Sequence, residues 1–201
     1  MLVALTGNSG VGASTVAGVW MNLGGNVCHL DHIGHRLMEK TRIRRAIGES
    51  SGIPGLDSLT GAESRKLLSE SAFTNPTIMA CVENAMHPLM KRWVGVHSEA
   101  RRKESGLWVL EGALILEMGL GNLFDRVVAV VDTPERAFSR IFRRDGVSAA
   151  TAGGRWSNQL SPMEKANRAH IVINNSGSLE ALLKASKMVY HKLLSTEVTR
   201  G

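Results

Sequence analysis

Apolar positions along the chain follow two periods. Short, largely apolar runs at Leu2–Leu5, Asn26–Leu30, Leu107–Leu110, Arg126–Val131 and Ile171–Ile173 read as buried strands. Three of them lead directly into an acidic residue, Asp31, Glu111 and Asp132. In an open parallel sheet the carboxyl ends of the strands line the ligand crevice, so Asp31 is placed to face one. Between the runs the spacing predicts helices over Ala13–Leu23, His32–Ile47, Pro134–Arg144, Ser148–Asn158 and Ser178–Leu194. Gly24-Gly25 closes the first of these. Gly48–Leu59 reads as a loop, and Thr60-Gly61-Ala62-Glu63 as a capping box opening a helix to Ala72. A further helix starts at Asn75-Pro76 and runs, bent at Pro88, to Ser105. Strands alternating with helices predict a doubly wound parallel α/β sheet of about five strands, flanked by helices. The helical stretch 48–105 is too long for one crossover and reads as an inserted lobe.

The first strand and first helix are joined by Gly7-Asn8-Ser9-Gly10-Val11-Gly12, followed by Ala13-Ser14-Thr15. This is the strand–loop–helix of a phosphate-binding P-loop, G-x-x-x-x-G-K-[ST], with Ala13 where the pattern has lysine. The glycines let successive N–H groups turn inward onto phosphate oxygens, and the positive end of the helix adds to the same site. Ser14 supplies the hydroxyl expected on Mg²⁺.

Composition narrows the reading less. The 201 residues carry a net charge of +6, which suits anionic ligands in general. Aromatic content is 4%, without the interleaved basic and aromatic residues that stack bases, so no nucleic-acid partner is expected. No apolar run reaches the ~18 residues that span a bilayer, so no membrane partner is expected either. Cys28 and Cys81 are expected to be reduced core thiols, and the first strand begins at once, leaving no room for a targeting peptide; both point to the cytoplasm.

Nine segments in order, LTGNSGVGAST, LDHIGH, FTNP, MHPLM, EGALILE, DRVVAVVD, RIFRRDG, RWSNQL and VINNSGS, make the chain resemble dephospho-CoA kinases over nearly its whole length. The resemblance implies ATP and Mg²⁺ as cofactors and dephospho-CoA as the small-molecule substrate. It implies a nucleotide-binding core of residues 1–47, 106–133 and 168–201, a helical substrate lobe over 48–105, and a lid over 134–167. In that comparison Asp31 is the base near the ribose 3′-hydroxyl and a Mg²⁺ ligand beside Ser14, while Arg140 and Arg144 stabilise the transferred charge. The loop from Gly7 to Thr15, the lid residues Arg155 and Gln159, and Asn174 and Gly177 beside the adenine hold the nucleotide. His87, Glu111 and Glu117 face the substrate or metal. Arg136 and Arg143 are expected to form a solvated basic face. A monomer or weak homo-oligomer is expected.

The chain departs from the resemblance twice, at Ala13 and at His29, which stands where the family has an aspartate. Loss of one preorganised donor typically lowers a rate by ~10²–10³. Arg36, Lys40, Lys165 or a lid arginine are the candidates to replace the lysine. A nucleotide- or CoA-binding pseudokinase, or a kinase for another small hydroxyl acceptor, are the alternative functions.

Overall fold

The computed structural model describes residues 1–72, 75–146 and 149–198. Phe73 and Thr74 of the FTNP segment, and the side chain of Arg155, lie outside the described residues. The chain forms two compact units, Met1–His29 with Val96–Gly201, and Leu30–Gly95.

In the first unit, β1 (Leu2–Gly7), β2 (Asn26–His29), β3 (Trp108–Glu111), β4 (Arg126–Val131) and β5 (Ile171–Asn174) form a parallel sheet in the order β2-β3-β1-β4-β5. Central β1 is buried along its whole length, as its unbroken apolar run demands. Helices α1 (Ala13–Asn22) and α9 (Leu179–Val198) pack together; Val16, Trp20, Leu182 and Leu193 share one core with Val3, Leu5 and Val128. The Trp20 indole N–H donates to the Ser186 carbonyl at 2.9 Å, and the Tyr190 hydroxyl to Leu23 at 2.8 Å, so the buried polar ends of both rings are satisfied.

Helices α6 (Pro134–Asp145), α7 (Ala149–Ser157) and α8 (Pro162–Arg168) precede β5. Seven-residue α8 is too short to show a period, but it carries a full capping box between Ser161 and Glu164, with Pro162 in its first turn. It delivers Lys165 into the interior, fully buried, where the ammonium meets Glu117 at 2.7 Å and donates to the Ala113 carbonyl. The same Glu117 oxygen accepts the Leu160 N–H at 2.8 Å. Burial pushes the Lys165 pKa down, against the pull of Glu117.

The second unit is helical: α2 (Leu30–Met38), α3 (Thr41–Ser51), a 3₁₀ turn at Leu56–Ser58, α4 (Gly61–Ala72) and α5 (Pro76–Arg101), whose last turns belong to the first unit. The single helix expected over His32–Ile47 is two. Lys40 is extended between them, and buried Arg44 closes α2 by donating to the Met38 carbonyl at 2.7 Å. Asp31 therefore stands in the first turn of α2 rather than at a strand end, where its charge complements the helix dipole. The Thr60–Glu63 box forms as expected, through bonds of 2.8 and 3.2 Å. Half-buried His87 lies beside Pro88 within α5; burial lowers its pKa, opposed by Glu83 and reinforced by Lys91. Burial likewise lowers that of His35. Among the described residues no helix is long and apolar enough to cross a membrane.

Two stability outcomes are expected. Lys165→Met removes the partner of a largely buried carboxylate and costs about 3 kcal/mol, read from urea midpoints, and adding Glu117→Leu recovers part of that loss. His87 binds its proton less tightly folded than unfolded, so its contribution to stability is full above the ordinary histidine range near pH ~6.5 and falls as pH drops through it. His87→Gln should flatten the fall in urea midpoint between about pH 7.5 and 5; identical pH slopes in the two proteins would contradict this.

Candidate active site

The turn from β1 into α1 is shaped by three glycines. A Cβ on Gly7 would lie 2.5 Å from the Val130 carbonyl, and one on Gly10 2.5 Å from that of Ala137. Gly10 and Gly12 also have φ of 82° and 101°, which side chains disfavour. Each loop carbonyl finds a donor, and those of Ser9, Gly10 and Val11 find it on other segments of the chain. Asn8 O accepts from Val11 N at 3.2 Å, Ser9 O from the Trp156 indole at 2.9 Å, Gly10 O from Arg140 at 3.1 Å, and Val11 O from Asn175 at 2.8 Å. Gly12 O takes the Thr15 and Val16 N–H groups. Among the described residues, the N–H groups of Gly10, Gly12, Ala13 and Ser14 have no acceptor. They surround the N-terminus of α1, whose first turn carries no carboxylate. Such a nest attracts an anion.

The C-terminal end of α7 and the residues after it grip the same loop. Gln159 accepts the Ser9 N–H and donates to the Ser9 hydroxyl, both at 3.1 Å, and Asn8 donates to the Leu160 carbonyl at 2.9 Å. Glu117, expected to face substrate, instead holds Leu160 and Lys165 in place.

Behind the loop, Asp132 is buried at the end of β4 and binds Arg140 at 2.6 Å and Arg136 at 3.3 Å. Arg140 also donates to the Asn175 carbonyl at 3.3 Å, and Arg136 to that of Gly177 at 2.8 Å. Arg136 is thus part of a network rather than a solvated face: a guanidinium beside a buried carboxylate is held by it. Arg143 bonds Ser139 at 2.9 Å, and Arg144 pairs with Asp145 at the surface at 2.7 Å. Glu135, Ser139 and the three arginines at 136, 140 and 143 line a cavity of about 390 Å³. Asn174 makes a local turn with the Ser176 N–H. Buried Asn175, its neighbour in the doublet, is the one that reaches the loop. Sequence reasoning missed Trp156 and Asn175 and gave Asp132 no role; only the doublet hinted at Asn175.

At the edge of the sheet, Glu111 lies in register with His29, and its carboxylate meets the His29 Nδ1 at 2.8 Å. Of the candidates to replace the P-loop lysine, Lys165 is committed to Glu117. In the second unit Arg36 lies over the Trp93 ring at 5.7 Å, Lys40 links α2 to α3, and Asp31 is exposed at the start of α2. No group of three His, Cys, Asp or Glu gathers among the described residues. Mg²⁺ bound with a nucleotide needs only one or two protein oxygens beside phosphate and water, and the exposed Ser14 hydroxyl is a donor of that kind.

Residues 1–181 match the family model described as dephospho-CoA kinase. A dephospho-CoA kinase of Dehalococcoides mccartyi is 30% identical over 182 residues, covering 90% of this chain and 91% of its own. A crystal structure of a Thermus thermophilus protein superposes with a TM-score of 0.74 at 31% identity, over 96% of this chain and 97% of that one. The dephospho-CoA kinase of Campylobacter jejuni superposes with a TM-score of 0.70 over 98% of both chains; at 23% identity it speaks to the fold, a P-loop kinase sheet. The parallel five-stranded sheet, the glycine loop and the family match agree: the chain is a phosphotransferase and belongs to the dephospho-CoA kinase family.

Proposed function

We propose that the protein transfers the γ-phosphoryl group of ATP to the ribose 3′-hydroxyl of dephospho-CoA, giving coenzyme A and ADP, at a rate lowered by Ala13. The observation that carries this is the glycine loop, whose Ser9, Gly10 and Val11 carbonyls are bonded by other segments while four N–H groups around the α1 N-terminus stay open to an anion. In this reading the bond from the γ-phosphorus to its β-bridging oxygen breaks as the 3′-oxygen bonds to phosphorus. Asp31 takes the hydroxyl proton. Arg144 and Arg155 neutralise charge on the transferred group, and Arg140 acts from behind the loop through Gly10. Residues 48–105 form the acceptor lobe with His87, and residues 134–167 the lid; Glu111 serves the acceptor or metal. Ser14 and Asp31 would hold Mg²⁺, which would supply neutralisation of phosphate charge during transfer.

A second reading, a nucleotide-binding protein without useful turnover, is favoured by one observation. Ala13 leaves the loop without its cation, and Lys165, the candidate lysine of the first unit, is buried on Glu117.

Coupled measurement of ADP release with Mg·ATP, with and without dephospho-CoA, separates the two. The family activity predicts acceptor-dependent release from the unaltered chain, rising ~10²–10³-fold in Ala13→Lys; silence from both proteins with ATP still bound supports the second reading. Ser14→Ala should weaken Mg·ATP binding about tenfold while leaving binding of metal-free ATP unchanged, checked by calorimetry with and without a chelator.

A further inference from the structure

Trp156 stands outside the residues assigned above to nucleotide, metal or acceptor, yet it touches the phosphate loop. It lies near the C-terminal end of α7, half-buried, with its ring edge-on to Phe138 of α6 at 5.3 Å and 81°. Its indole N–H donates to the Ser9 carbonyl at 2.9 Å. That carbonyl and the Gly10 N–H belong to one trans peptide unit and point in opposite directions. A donor that fixes the carbonyl outward therefore fixes the N–H inward. The neighbouring glycine matters here. Gly10, at φ 82°, leaves the Ser9–Gly10 peptide free to rotate unless something holds it, because no Cβ resists the turn.

We propose that Trp156 is a positioning residue for the phosphate nest, its indole N–H holding the Ser9–Gly10 peptide so that the Gly10 N–H faces the bound phosphate. This rests on the reading of the loop as a nucleotide site. The Ser9 N–H and hydroxyl are held separately by Gln159, so the indole bond acts on the following peptide unit alone. Asn175 does the same for the next open donor, since its bond to Val11 O orients the Gly12 N–H. A donor on the carbonyl also polarises the peptide, strengthening the N–H at its other end.

The test compares Mg·ATP and dephospho-CoA binding by calorimetry in the unaltered chain, in Trp156→Phe, and in protein carrying benzothienylalanine at 156. The last keeps the shape and packing of the ring but has sulfur in place of the N–H. Both replacements should weaken Mg·ATP about fivefold, leave dephospho-CoA affinity unchanged and bind with unaltered stoichiometry. A purely structural role would lower Tm and the fraction of competent protein while leaving the Kd of that fraction as it was. If Trp156→Phe fails to fold, the benzothienylalanine protein decides alone. Unaltered protein that binds no Mg·ATP overturns the nucleotide reading and this inference with it. Tight binding by the unaltered chain, matched by the sulfur isostere, overturns the inference and spares the reading.

Discussion

A trans peptide unit points its carbonyl and its N–H opposite ways, so a loop that offers N–H groups to an anion must find donors for the carbonyls on its outer side. The first unit is arranged around that requirement. Three consecutive carbonyls, of Ser9, Gly10 and Val11, are met by Trp156 from α7, Arg140 from α6 and Asn175 from the loop after β5. These donors come from segments far along the chain, and the parallel sheet brings them together: β4 and β5 lie on one side of β1, and the connections leaving their carboxyl ends run behind the glycine turn. The glycines are the complement. A side chain on Gly10 would collide with the backbone of α6, the helix that carries Arg140, and one on Gly12 with Asn175 itself.

Much of this architecture is legible in the pattern of apolar positions, because a strand buried on both faces has no other way to look. All five strands fall within a residue or two of their apolar runs. The failures have physical reasons. Helix α8 is shorter than two turns, and only its cap, Ser161 to Glu164, could have revealed it. The break at Lys40 depends on Arg44 reaching back to Met38, a contact with no period. In the site, the glycines and Ser14 are legible because their spacing is local. The donors to the loop carbonyls are not, since many side chains with an N–H could serve and only the fold selects which. Arg140 and Gln159 could be named from resemblance alone; the structure adds that Arg140 binds the outer face of the loop and Gln159 binds Ser9.

Charge is placed as selectively as the donors. The net +6 suggests a broadly basic surface, yet the α6 arginines nearest the loop are tied to one buried carboxylate, Asp132. Lys165 is likewise tied to Glu117, which in turn fixes Leu160 and through it Asn8. Buried ion pairs contribute little net stability, because desolvation offsets most of the attraction. Their value here is directional. Each holds a group that holds the loop.

That arrangement bears on what Ala13 removes. Fixed amide N–H groups meet a phosphate equally well before and during transfer, which is uniform binding: it lowers KM and leaves kcat alone. A lysine ammonium between the β- and γ-phosphates gains as charge shifts onto the leaving oxygen, so it acts on kcat. On the proposed function, the chain has the scaffold that binds and, at Ala13, lacks the cation that discriminates. Stiffening the scaffold further cannot replace it, since no carbonyl clamp brings positive charge to the γ-phosphate. On the proposed function, the missing charge has to come from a group that can move without leaving a buried carboxylate unpaired. Arg140 and Lys165 fail that condition. Arg144 meets it: its pair with Asp145 is exposed, and such pairs are worth about 0–1 kcal/mol.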